Sequence, residues 1–203
     1  YYKNNRLESI SYYEGGNKIF SYYLQLDSSK LQVPAIYNKR EYKINEYKKY
    51  LSDTIHILNH DLPEPKSDPL TIIRYKASQF NEVLVDDCSL EIEGVEIGPM
   101  IKWYLDVLGQ YIGKKALFTC FIALRKDAQV YVYRGQVFGT LVESCGKKYG
   151  FVSYFQPDGT DKTLAQERLE VHNPRYHAIQ QFLSNHPYAI EEPLYEWHGL
   201  FQE

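Results

Sequence analysis

Polar and apolar positions divide the chain into short segments of distinct period. Residues 9–26, SISYYEGGNKIFSYYLQL, carry two tyrosine-rich runs around a Glu-Gly-Gly-Asn turn. That arrangement predicts a β-hairpin, because Gly-Gly supplies the backbone freedom of a two-residue turn. Neither run is continuously apolar, so the hairpin is expected to cover a sheet edge or an interface. LQVPAIY at 31–37 predicts a short strand, which Pro34 confines to an edge or a strand start. In REYKINEYKKYLSD, Tyr42, Ile44, Tyr47 and Leu51 recur near one face with lysines opposite, the signature of an amphipathic helix. IHIL at 55–58 reads as a strand and DLPEPKSDP as the loop after it. Ser67 or Asp68 then caps a helix that starts at Pro69 and runs through LTIIRYKASQF.

EVLV at 82–85 is the next strand, and Asp86 and Asp87 stand at its end. IGPMIKWYLDVLG predicts a helix opened by Gly98-Pro99 and closed by Gly109, with Trp103 on a buried face. ALFTCFIAL at 116–124 is apolar enough for the centre of a sheet. QVYVYRGQVFGTLVE supplies one or two more strands, in which Gly135 and Gly139 permit bends or close backbone approach. TLAQERLE and RYHAIQQFLSNH read as two further helices. Strands interleaved with helices give the fold class α/β: a mixed twisted β-sheet with helices on its faces.

Composition narrows the classes. With 203 residues, 44% hydrophobic and 24% charged, the chain suits one globular domain with a real core. A net charge of −3 gives no electrostatic reason to expect nucleic acid. No run approaches the roughly 18 apolar residues that span a bilayer, so no membrane is expected. Three cysteines without a CxxC pair favour free thiols in a reducing, cytoplasmic setting. The first residue is Tyr1, which leaves room for a targeting segment ahead of it.

Asp86 and Asp87 carry the chemistry. At the carboxyl end of a strand both can bend into the crevice where α/β sheets bind ligands. Two carboxylates there repel unless a cation lies between them, and Mg²⁺, which prefers oxygen ligands and bridges to phosphates, is its natural occupant. Two solvated acids at a strand end are the plainer alternative. His56 and His60 have a helical zinc spacing, but they flank a strand, where solvated histidines are expected. Cys88 has no partner histidine in sequence and reads as packing.

Residues 83–105, VLVDDCSLEIEGVEIGPMIKWYL, followed by RGQVFGTLVE and GFVSYFQPDGTDKTLAQ, resemble the inosine/xanthosine triphosphate pyrophosphatase family. GPMIKWYL (98–105) and FQPDG (155–159) are the most specific pieces, and the resemblance spans residues 33–183. It implies two lobes around a central nucleotide cleft, a homodimer, and Mg²⁺-dependent hydrolysis of non-standard purine nucleoside triphosphates to monophosphate and pyrophosphate. It divides the chain into a hairpin extension (1–32), a pyrophosphatase-like domain (33–187) and a tail (188–203). Carried over by residue, Asp87 is the catalytic carboxylate and Asp86 joins it on Mg²⁺. Asn38, Lys43 and Lys76 bind phosphates. Tyr149, Phe151, Arg175 and His177 lie around the base.

Four positions depart from the family pattern. Val152 stands for an Asp, Pro174 for the His of a Ser-His-Arg motif, Leu169 for a Lys, and His177 for an Arg. The losses gather at the base-reading end, while Asp86, Asp87, Lys43 and Lys76 remain. Two readings follow: a pyrophosphohydrolase with altered base preference, or a non-catalytic homologue that binds a nucleotide or a protein partner.

Overall fold

β-Branched and aromatic residues are frequent in positions 115–141, which form the two longest strands of the computed structural model. That model describes residues 2–3, 6–7, 10–14, 17–22, 35–37, 41–51, 57–58, 62–146 and 150–202. Asn38, His56, His60 and Tyr149 lie outside the described residues. In chain order come β1 (Tyr2–Lys3), β2 (Arg6–Leu7), β3 (Ile10–Glu14), β4 (Asn17–Tyr22), β5 (Ala35–Tyr37) and α1 (Glu41–Tyr50). Next are β6 (Ile57–Leu58), α2 (Pro69–Ser78), β7 (Val83–Ile92), β8 (Val95–Gly98), β9 (Lys115–Lys126) and β10 (Gln129–Leu141). β11 (Phe155–Pro157), α3 (Pro174–Leu183) and β12 (Ala189–Glu191) complete the series. No described helix is long and apolar enough to cross a membrane.

The main sheet has the order β11-β10-β9-β7-β5-β6, with β12 added to β10 and β8 to β7. β5 runs parallel to β6 and β7, whereas β7, β9 and β10 are antiparallel, so the sheet is mixed as expected. The tyrosine-rich segment does fold as a hairpin, a two-stranded β3–β4 sheet of its own.

Three apolar clusters divide the sheet into two lobes. At one end of the long strands α2 lays Ile73 and Ala77 on Val83, Val85 and Phe121. On the opposite face of that same end, Tyr47 of α1 and Ala178 and Ile179 of α3 pack on Leu84, Cys120 and Ile122. At the other end Leu90, Phe118, Val137 and Leu141 pack with Ile101, Leu108, Phe151 and Phe155. Residues 86–89 of β7 lie at the waist between these lobes.

Local signals account for the helix starts. Asp68 caps α2 by accepting hydrogen bonds from the Thr71 backbone N–H (3.0 Å) and hydroxyl (2.6 Å), with Pro69 in the first turn. Gly135 sits directly beneath α3. A Cβ added there would lie 1.9 Å from the Pro174 carbonyl oxygen and 2.7 Å from the Ala178 nitrogen. Close approach is therefore the reason for this glycine.

Four expectations change. β7 does not stop at Val85: its ladder with β9 continues from Val85↔Ala123 to Ile92↔Ala116, so Asp86 and Asp87 are mid-strand residues. Residues 99–111 form two 3₁₀ segments, Pro99–Trp103 and Leu105–Tyr111, rather than one α-helix. Gly98 at φ 50° and Tyr104 at φ −111° interrupt the turn, and Tyr104 and Val107 each donate three residues back. The three-residue period rotates Trp103 outward, leaving it 55% exposed rather than in the core. TLAQERLE makes one turn only: the Gln166 and Glu167 N–H groups both return to the Thr163 carbonyl (3.0 Å each), and no helix continues from that turn.

Gly135→Ala should destabilise the fold by about 1–3 kcal/mol through overpacking against α3. Gly109→Ala, whose added methyl meets nothing within 4 Å, should change stability by no more than about 0.5 kcal/mol. Urea unfolding of the two variants checks the contrast.

Candidate active site

Successive strand residues point to opposite faces, so Asp86 and Asp87 enter different surroundings. Asp86 faces α1 and α3. Its Oδ2 lies 3.0 Å from Lys43 Nζ and accepts from Arg175 Nε (3.1 Å) and Nη2 (2.9 Å). One turn after Lys43, Glu46 accepts from Arg175 Nη1, from Arg168 Nη1 (2.8 Å) and from Asn173 Nδ2 (3.0 Å). The result is a buried lattice of two acids and three cations. Burial alone would raise the Asp86 pKa, but Lys43 and Arg175 outweigh it and hold the carboxyl well below the usual range. Glu46 is also lowered: burial opposes the shift and Arg175 and Arg168 overcome it.

The departures around Arg175 acquire a structural meaning here. Asn173 is the N-cap of α3, accepting from the Arg175 N–H at 3.1 Å, and Pro174 occupies the first turn. Asn-Pro thus starts the helix that carries Arg175 inward across Gly135. Arg175 is 3% exposed and committed to Asp86 and Glu46.

Asp87 faces α2. Lys76 Nζ donates to Asp87 Oδ1 (3.2 Å), to Glu64 Oε1 (3.1 Å) and to the Asp86 carbonyl (3.0 Å). Lys102 adds a second cation, 2.8 Å from Glu64 Oε2. The two carboxylates therefore converge on one cation position. Their pKa values separate. Glu64, despite partial burial, is pulled down to about 2 by Lys76 and Lys102. Asp87 is raised, because burial together with the Glu64 charge exceeds the pull of Lys76. Lys76 itself is raised: burial would lower it, and Asp87 and Glu64 prevail.

Asp86 and Asp87 thus do not share a cation site. Asp87 shares one with Glu64, a loop residue that sequence reading passed over. Its signal was present in LPEP, an acid between prolines just ahead of the helix bearing Lys76. Glu46 and Lys102 also join the site, from within REYKINEYKKYLSD and GPMIKWYL. On the Asp86 face, one oxygen of Asp86 and the sulfurs of Cys88 and Cys120 lie within 4.8 Å of one another. Two sulfurs do not suit Mg²⁺, and Arg175 and Lys43 already neutralise that carboxylate.

The expected base-binding residues are dispersed. Phe151 is buried, with its ring edge-on to Phe118 at 4.7 Å, and it belongs to the core. Val152 is buried beside it, whereas Leu169 is exposed. His177 lies on α3 and stacks edge-on with Tyr176 at 6.0 Å.

Arg175→Met should cost about 3–5 kcal/mol, since it leaves Asp86 and Glu46 buried with fewer cations. Asp86 has a depressed native pKa, so its stabilisation is present above the unfolded value of about 3.9 and is lost as pH falls through the native value. In the variant the Asp86 carboxyl is less depressed, so less stability is lost on acidification, and the gap between parent and variant should narrow as pH falls below about 3.9. Urea midpoints measured between neutral and acid pH check this.

The Ham1 family model matches residues 36–185. The structure of the Staphylococcus aureus Ham1 protein superposes with a TM-score of 0.58 at 24% identity, covering 74% of this chain and 98% of that one. A nucleoside-triphosphatase, dITP/XTP pyrophosphatase, from Mycobacterium abscessus matches with a TM-score of 0.50 at 16% identity, covering 75% and 94%. At these identities the structures speak for the fold. The family model, spanning most of the length, speaks for descent: this chain belongs to the Ham1 family.

Proposed function

We propose that this chain hydrolyses nucleoside triphosphates to the monophosphate and pyrophosphate, using Mg²⁺, with a base preference altered from purine-selective relatives. The observation that carries the reading is the convergence of Glu64, Asp87, Lys76 and Lys102 beside the waist of the sheet. Membership of the Ham1 family supports it, as does the description of the M. abscessus relative as a dITP/XTP pyrophosphatase.

Glu64 and Asp87 fit a hard divalent ion. Both offer carboxylate oxygens, and both reach the single position now taken by the Lys76 ammonium. Glu64 and Asp87 would hold Mg²⁺, which would supply charge neutralisation for the triphosphate. Lys76 and Lys102 act on the triphosphate as point charges. Asp87, with its raised pKa, accepts the proton of the attacking water. The water oxygen bonds to the α-phosphorus, the α–β bridging P–O bond breaks, and pyrophosphate leaves. Lys43 and Arg175 hold Asp86, and through it the strand position of Asp87.

Altered base preference is supported by the burial of Phe151 and Val152 and by the use of Asn173-Pro174 as a helix start. The same losses favour the second reading, a non-catalytic nucleotide-binding homologue. Homodimerisation and a cytoplasmic setting belong to the proposal too, and the free thiols Cys88, Cys120 and Cys145 are consistent with the latter.

Pyrophosphate release should be seen with at least one nucleoside triphosphate in a panel of inosine, xanthosine and the four common bases. Asp87→Asn should lower kcat by about 10²–10⁴-fold. Folded protein that binds nucleotide and releases nothing across the panel would establish the second reading instead. Because the base form of Asp87 is required, activity should rise with pH along an acid limb. A pH profile of kcat/KM locates that limb.

A further inference from the structure

The segment from Ala189 to Gln202 lies beyond the family-matched residues, yet it runs to the candidate site. β12 pairs antiparallel with β10 through Val130↔Glu191 and Val132↔Ala189. The chain then crosses α2. Arg74 Nε donates to the Glu192 carbonyl, the Leu194 N–H donates to Ser78 Oγ (2.7 Å), and Gln79 Nε2 donates to the Tyr195 carbonyl (3.2 Å). It finishes against the loop that carries Glu64. The Lys66 N–H donates to the Leu200 carbonyl (2.8 Å), and Pro65 and Phe201 form a β-bridge. The Gln202 N–H donates to the Glu64 carbonyl (2.8 Å), while its Nε2 donates to the Pro65 carbonyl (3.1 Å). The Phe201 ring stands edge-on to Tyr75 at 6.0 Å.

We infer that residues 189–202 are a strap that positions Glu64 against Lys76 and Asp87, with Phe201 and Gln202 as its positioning residues. The reason is mechanical. Glu64 lies in an irregular Pro-rich loop, and such a loop samples several conformations unless its backbone is tied. The strap bonds the backbone on Glu64 itself and on Pro65 and Lys66. It also grips α2 at Arg74, Ser78 and Gln79, on both sides of Lys76. One segment therefore fixes the loop acid and the helix lysine relative to each other, to the tolerance a charged site requires. The inference rests on the proposed role of Glu64 in holding Mg²⁺.

The test uses full-length protein with Gln202→Pro, which removes the N–H donor, and Phe201→Ala. Leu200→Ala is the control, since only its carbonyl is used and its side chain is 74% exposed. Amide exchange over residues 62–68 should quicken about fivefold for each bond lost, while β7 stays unchanged. The Mg²⁺ concentration for half-maximal pyrophosphate release should rise about tenfold, with nucleotide KM at saturating Mg²⁺ unaltered. Faster loop exchange with an unchanged Mg²⁺ requirement would reduce the strap to a stabilising contact and overturn the inference, as would no change in either readout. Absence of Mg²⁺-dependent release from the parent chain would instead overturn the reading on which the inference stands, and is seen before any variant is made.

Discussion

Burying a carboxylate without a partner costs several kcal/mol, and this fold buries Asp86 and half-buries Asp87 on successive residues of a central strand. The alternation of side chains forbids one cation from serving both. Each face of the sheet must therefore supply its own. α1 and α3 bring Lys43 and Arg175 to Asp86, and α2 brings Lys76 to Asp87. The placement of three helices is thus tied to two adjacent residues. Gly135 follows from the same demand, because Arg175 reaches Asp86 only if the first turn of α3 lies directly on β10.

Elements governed by local chemistry were legible in the sequence. The β3–β4 pairing, the Asp68-Pro69 start of α2 and the apolar run of β9 all form where their residues direct. What sequence missed depended on distant partners. β7 runs past its aspartates because β9 supplies a ladder through Ile92, and nothing within VDDCSLEI announces that neighbour. The stretch from Pro99 to Tyr111 has helical composition, yet Gly98 and Tyr104 set backbone angles that yield 3₁₀ turns and expose Trp103.

The site was legible in part for the same reason. Lys43, Lys76 and Arg175 could be named by motif, and the structure places all three on the acid pair. Glu64 meets Lys76 across 12 residues and Lys102 across 38, while Glu46 meets Arg175 across 129. No periodicity reports such contacts. Phe151 shows the converse: its place in a family motif suggested a base-stacking role, but its neighbours in space are Phe118 and the core.

Two identical side chains, one bond apart in sequence order, end with opposite acid strengths. Asp86, surrounded by Lys43 and Arg175, is held ionised far below its ordinary range. Asp87 shares its close lysine, Lys76, with Glu64, and burial pushes it upward. When environment drives two carboxyls apart in this way, the depressed one serves as fixed charge and the raised one as the group able to exchange a proton. With both carboxyls pushed up by burial, the division follows from the cations around Asp86 and from the Glu64 charge beside Asp87. A carboxylate ringed by cations gains little by accepting a proton, whereas one sharing its cation with a second acid gains more. The face that holds α1 and α3 is therefore the anchor of the structure, and on the proposed function the face that holds α2 and the Glu64 loop is where a charged substrate would find a shared cation to compete for.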